Sequence, residues 1–253
     1  MDKVLYENKE QLGVITINRP EVHNAIDFEV MDLLKQYLSE AKADPGVKLL
    51  VIKGSGGKAF CSGGDLIAFH QLHTEHEAYA MLSKMSDVLN EIFFFPKPTI
   101  ALLNGTAVGG GCEIAAACDM RLAKAEAKMG FIQGKLGITT GWGGGTYILE
   151  RLPKAVALDL LWSAQLMTAK QGRDIGFVQY LIKEDDMMAS AKKYFNRYTV
   201  HSTECLQAYK QRYLDSIDTA GIKLRVEQEV RHCAKLWETD EHKKAVADFL
   251  NKK

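Results

Sequence analysis

Twice in this chain an apolar run of strand length breaks into glycine and then passes into a helical pattern, and that repetition limits the folds open to it. The first run is Leu49-Leu50-Val51-Ile52, followed by Gly54-Ser55-Gly56-Gly57 and by Phe60-Cys61-Ser62-Gly63-Gly64-Asp65-Leu66. The second, Thr99–Leu103, breaks at Asn104-Gly105 and runs through Gly109-Gly110-Gly111 into an alanine-rich segment ending at Cys118-Asp119. Apolar runs without alternation read as strands buried on both faces. Such strands alternating with helices predict right-handed crossovers and parallel pairing, hence an α/β fold. Ligands in these folds collect beyond the C-terminal ends of strands, so the two glycine loops are expected to face one pocket.

The second loop carries a chemical conflict. Glycine at a helix start costs backbone entropy, but it lets another group approach the first free N–H donors. Glu113 stands three residues beyond Gly110, among small and apolar side chains where an unpaired carboxylate is expensive. Residues i and i+3 share a helix face, so a group bound at the Gly110 amide would lie beside Glu113. This suits negative charge developing on an oxygen with an acid/base next to it. The structural alternative is close helix–strand packing, with Glu113 paired to a distant arginine such as Arg121. Neither loop is a nucleotide fingerprint, because no Walker sequence and no strand-to-helix G-x-G-x-x-G occurs.

The remaining segments fit this frame. Val4–Tyr6 and Val14–Ile17 around a polar stretch predict a hairpin. From Asp27 as N-cap, Val30, Met31, Leu34, Leu38 and Ala41 follow helical spacing until Asp44-Pro45-Gly46. Residues 66–95 read as mostly helical, and Met120–Ala123 as a strand. A third glycine region, Gly130–Ile138 and Gly141–Gly145, feeds a helix to Leu152. Beyond Pro153, residues 155–166, 168–176, 186–198 and 203–251 read as helices around a short apolar piece, Phe177–Ile182. The expected division is an α/β core over 1–195 and a helical segment over 196–253 whose apolar faces suit a neighbouring subunit.

Lys+Arg and Asp+Glu are equal at 32 each, so bulk charge gives no argument for nucleic acid or an anionic membrane. Five cysteines without a C-x-x-C pair read as reduced thiols rather than a zinc site. His70, His73 and His76 read as solvated surface, so no metal is expected. With no apolar leader at Met1–Val4 and no run of membrane-spanning length, the expectation is a cytoplasmic protein.

These residues resemble the crotonase (enoyl-CoA hydratase/isomerase) superfamily over essentially the whole chain. Ile17-Asn18-Arg19-Pro20 with Asn24-Ala25 is similar to its N-terminal signature, Ala59–Leu66 to its first oxyanion loop, and Asn104–Glu113 to its second. Thr168-Ala169 with Gly176-Phe177-Val178 resembles the turn before its C-terminal helices. The resemblance implies a spiral of β-β-α units with a helical C-terminal segment, a homotrimer or dimer of trimers, and an acyl-CoA thioester substrate. It implies no cofactor beyond the coenzyme A carried by that substrate. Carried over position by position, Gly64 and Gly110 supply the thioester-binding amides and Glu113 the acid/base. Ser62, Asp65 and Leu66 fall along the coenzyme path, and Phe249 and Lys252 resemble residues that reach the nucleotide of an adjacent subunit.

One position departs from the pattern. Hydratases of this family use a second glutamate in the third glycine region, which here is Gln133. Glutamine can hold a water but cannot exchange its proton near neutral pH, and one general acid/base is worth roughly 10²–10⁴ in rate. Efficient hydration is therefore put in doubt, and the isomerases of the family fit imperfectly too. Phe131–Gly144 is similar to the decarboxylases of methylmalonyl- or ethylmalonyl-CoA type in this superfamily, closest at Trp142-Gly143-Gly144. In that reading Gln133 and Trp142 shape the acyl pocket. A third possibility is a catalytically weak acyl-CoA-binding scaffold. An RNA-associated role is disfavoured by the neutral charge.

Overall fold

The structure, a computed structural model, describes residues 2–184 and 186–251, without the side chain of Leu250. Strands β1 (Val4–Lys9) and β2 (Leu12–Ile17) pair antiparallel through a two-residue turn. Glu10 and Gln11 there both take positive φ, 53° and 68°, the backbone that matches the twist of a tight hairpin. Helix α1 (Phe28–Ala43) starts at Asp27, whose carboxylate accepts from the Val30 amide. Its buried face is Val30, Met31, Leu34, Leu38 and Ala41, the expected set.

Three β-β-α units follow. The first is β3 (Leu49–Gly54), β4 (Ala59–Cys61), the short α2 (Leu66–Phe69) and α3 (Glu75–Phe93). The second is β5 (Thr99–Leu103), β6 (Thr106–Val108) and α4 (Gly110–Ala117). The third is β7 (Met120–Lys124), β8 (Lys128–Gly130), a 3-10 turn at Gln133–Leu136 and α5 (Gly144–Arg151). In each unit the first strand joins one sheet and the second strand another. After α6 (Lys154–Ser163), β9 (Met167–Thr168), α7 (Ala169–Asp174) and β10 (Tyr180–Ile182), the sheets are complete. The larger has the order β1-β2-β3-β5-β7-β10, parallel except for the hairpin. The smaller has the order β4-β6-β8-β9. Its strands are at most three residues long. That is too short for any periodicity to announce them, and the sequence reading had no second sheet.

The spiral carries the two glycine loops to the same side. Each leaves the small-sheet strand of its unit, β4 or β6, and those strands pair parallel. The helix expected over 66–95 is broken at 70–74, where Thr74 and Glu77 form a capping box that restarts it as α3. The final stretch divides into α8 (Met187–Thr199), α9 (Thr203–Asp215), α10 (Thr219–Trp237) and α11 (Asp240–Leu250). Ser202, Asp218 and Thr239 cap the last three. Position 195 falls inside α8, whose Ala191 and Phe195 pack with Leu12, Val14, Val51 and Leu102 on one face of the large sheet. On the other side, α10 buries Ile222, Val226, Val230, Cys233, Ala234 and Trp237 in the main core with Met81, Leu82 and Met85 of α3. Among the described residues no helix is long and apolar enough to cross a membrane.

Candidate active site

The N-terminal signature residues are the brackets that hold the first loop. Asn24 donates to the carbonyls of Ser55 and Ala59, and Asn104 donates to Gly56 and accepts from the Gly54 amide. Arg19 donates to the Ala25 carbonyl and pairs with Asp65 at 2.9 Å. The Asp65 carboxylate also caps α2 through the Ile67 and Ala68 amides. Asp65 is thus committed to shaping the loop and is absent from the cavity wall, whereas Ser62, Gly64 and Leu66 line it.

Glycine is required where the loops meet. Gly109 enters α4 at φ 55°, and a Cβ on Gly111 would stand 2.1 Å from the Cys61 carbonyl oxygen. A Cβ on Gly63 would come within 3.0 Å of the Gly110 nitrogen, which fixes how closely the two loops approach. The Gly110 amide opens α4 and therefore lacks an intrahelical acceptor. Neither it nor the Gly64 amide donates to any group among the described residues. Trp142 lies against both glycines, with a hypothetical Gly110 Cβ falling 2.0 Å from its ring and a Gly64 Cβ 3.6 Å away.

These residues wall a cleft that encloses about 870 Å³, including its open mouth. Met81, Leu82, Ile132, Ile138, Cys233 and Trp237 supply apolar walls, and Phe249 also lines it. Phe249 reaches the cleft of its own chain, because α10 turns at Glu238 and Thr239 and α11 folds back onto residues 136–137, with His242 bonded to the Leu136 carbonyl. The reach toward a neighbouring subunit expected from the resemblance is not needed to place it there. Lys252 lies outside the described residues. Sequence reasoning missed Met81, Leu82, Cys233 and Trp237, which carry no motif and read as ordinary helix faces.

Glu113 is 3% exposed and faces this cleft. Its Oε2 accepts from the Trp142 amide at 2.8 Å and the Gly144 amide at 2.9 Å. Gly143 between them has φ 101°, a left-handed turn that aims both amides at one oxygen. Among the described residues its Oε1 accepts only from Gln133 Nε2, at 2.8 Å. Burial raises the Glu113 carboxyl to about 7, the negative charge of Glu229 adds to this, and the three donors oppose it. Arg121 is spent elsewhere, donating to the carbonyls of Ala115, Cys118 and Phe177, so the arginine pairing considered from sequence does not occur. Gln133 is 8% exposed, and its Oε1 is buried without a partner among the described residues. With Nε2 anchored on Glu113, that oxygen is a fixed, unfilled acceptor closed off from solvent beside the cleft.

The arrangement therefore combines two free amides from different loops, one buried acid poised near neutrality and an unfilled acceptor beside it. It is the equipment for stabilising an oxyanion and moving a proton next to it. Residues 7–253 match the sequence profile of the enoyl-CoA hydratase/isomerase family. A crotonyl-CoA hydratase of Syntrophomonas wolfei is 37% identical over 200 residues, spanning 78% of this chain and 75% of the relative. A short-chain-enoyl-CoA hydratase of Clostridium acetobutylicum is 30% identical over 258 residues, spanning 100% and 96%. A crystal structure of carnitinyl-CoA hydratase from Mycobacterium avium superposes with TM-score 0.87 at 30% identity, covering 100% of this chain and 97% of that one. The chain belongs to the enoyl-CoA hydratase/isomerase family of acyl-CoA-processing enzymes.

Proposed function

We propose that this protein adds water across the double bond of an enoyl-CoA thioester, with Glu113 as its single proton-exchanging group. The carrying observation is that Glu113, a buried carboxylate with one acceptor position of Oε1 left open, lines the same cleft as the amides of Gly64 and Gly110, which are unbonded among the described residues. A water that donates a hydrogen to the Glu113 carboxylate has its lone pair free to attack Cβ. Glu113 takes the proton as the C–O bond forms, and the π electrons move onto the thioester oxygen. The amides of Gly64 and Gly110 hold that enolate oxygen. Collapse of the enolate returns the same proton from Glu113 to Cα, so one water is added in all and no group is left charged. A carboxyl poised near 7 suits both halves of this transfer. Relatives named as hydratases support the reading.

The second reading, decarboxylation of an alkylmalonyl-CoA, is favoured by one observation: the described residues that line the cleft include no lysine or arginine. A substrate carboxylate would be held there without a counter-ion, which favours its loss as CO2. Against it, the Glu113 carboxylate lines the cleft and would repel that carboxylate. The test is to offer an enoyl-CoA and an alkylmalonyl-CoA in parallel. Rapid loss of the enoyl absorbance, abolished by Glu113→Gln, supports hydration. CO2 release without hydration overturns it, and silence on both with tight coenzyme A binding leaves only a scaffold.

We further propose a homotrimer or dimer of trimers. Helix α6 is apolar yet buries only Ala157, leaving Trp162 78% exposed. Val200, just past the end of α8, and Tyr209 and Leu224, on α9 and α10, are likewise exposed. Light scattering on the purified protein tests this; a monomer at micromolar concentration refutes it.

A further inference from the structure

Two carboxylates converge on the turn that begins α5. Glu113 holds the amides of Trp142 and Gly144. Glu229, from α10, holds the next two, accepting from Gly145 at 3.0 Å and from Thr146 at 2.7 Å, and from the Thr146 hydroxyl at 2.7 Å. Adjacent glycines separate them. A Cβ on Gly144 would lie 2.3 Å from Glu113 Cγ, and one on Gly145 would lie 3.3 Å from a Glu229 oxygen. The helix start is thus clamped between an acid facing the cleft and an acid from the C-terminal helices. Removing Glu229 would strip two amides and a hydroxyl of their acceptor and take a negative charge from beside Glu113.

We propose that Glu229 is a positioning residue, which through the shared 142–146 turn both fixes Glu113 and sets how readily it takes up a proton. The inference rests on the reading of Glu113 as the acid/base. Among the described residues, the other titratable groups around Glu113 are neutral at pH 7. They are Cys112 on its own helix, Cys233 on α10 and Tyr147 on α5, all raised by burial. Gln133 is uncharged, and α3 presents only Met81 and Leu82 to the cleft. Glu229 is accordingly the charge that acts on Glu113 from a neighbouring element, and its repulsion favours the protonated form. The C-terminal helices, which bear no atom of the proposed chemistry, thereby tune its proton transfer.

The test compares Glu229→Gln, which keeps an acceptor for the turn but loses the charge, with Glu229→Asp, which keeps the charge. The buried Glu113 carboxyl is followed by infrared spectroscopy against pH, its band assigned by loss in Glu113→Gln, and the pH profile of turnover is recorded beside it. In Glu229→Gln the Glu113 midpoint should move to lower pH by about one, a roughly tenfold weaker hold on the proton. In Glu229→Asp it should stay close to that of the natural protein. An unmoved midpoint in Glu229→Gln overturns the proposal, and so does an equal displacement in both variants, which would mean shape rather than charge. Should Glu229→Gln not fold, Glu229→Asn carries the same comparison at the shorter length. Because the infrared titration needs no turnover, a displaced band with an undisplaced rate profile would support the coupling while removing Glu113 from the rate-determining proton transfer.

Discussion

The contact between Trp142 and Gly110 offers a direct perturbation of the site. Replacing Gly110 by alanine keeps the amide but adds a methyl 2.0, 2.5 and 2.7 Å from three atoms of the indole ring. No real packing tolerates those distances, so the ring must leave. Trp142 is 4% exposed, and the open side available to it is the cleft. Overpacking of this kind costs about 1–3 kcal/mol, and alanine's better helix propensity returns at most about 1 kcal/mol. A net loss in the middle of that range, about 1–2 kcal/mol, should lower Tm by roughly 2–8 °C for a chain of this size. Turnover should fall further, by about 10²-fold or more, because the displaced ring occupies the space in front of the oxyanion amides. Trp142→Ala alone should cost about 3–5 kcal/mol as a large-to-small change. In the double variant the added methyl meets no ring, so the two effects should fall short of additivity by at least about 1 kcal/mol. Urea denaturation and turnover on an enoyl-CoA, measured on all four proteins, complete the cycle. Additivity within about 0.5 kcal/mol would refute the contact.

Other outcomes follow from the same geometry. Because the folded Glu113 carboxyl is raised from 4.5 to about 7, its ionisation opposes folding. The penalty is absent below about 4.5, grows as pH rises through the window up to 7, and reaches about 3 kcal/mol above it. Glu113→Gln should therefore be more stable than the natural protein at pH 8 and nearly equal at pH 4.5, while losing about 10²–10⁴ in turnover; a stability difference independent of pH would contradict the raised carboxyl. With Glu113 as base, the rate of hydration at low substrate should climb through a midpoint near 7 and then level, and a rate that falls over that range would reverse its role. Gln133→Glu supplies a second exchangeable proton beside Glu113 and should raise hydration by about tenfold or more; a drop would show that the site depends on the neutral amide that anchors Glu113. Gly144→Ala drives a methyl into the Glu113 side chain and should abolish turnover even where circular dichroism reports a folded protein.

What could be read along the chain and what could not divide on a physical line. The strands β3, β5 and β7, the face of α1, and the meeting of the Gly64 and Gly110 loops were legible, because they rest on local rules: apolar runs, caps, and ligands at strand ends. Glu113 was conspicuous as a carboxylate in an apolar segment. The small sheet was not legible, since three residues carry no period. The fate of Arg121 and the aim of Gln133 were equally hidden, because a side chain's partner depends on which distant carbonyl or carboxylate the fold brings near. Gln133 by itself signals only a lost proton donor; its anchored nitrogen and unfilled oxygen exist only beside Glu113. Glu229 has no motif at all, being one more polar residue on a long helix until α10 docks it on the start of α5. The sequence by itself determined the order of units and the chemistry available, whereas tertiary packing alone decided which charge faces which proton, because electrostatic effects depend on distance and burial rather than on position along the chain.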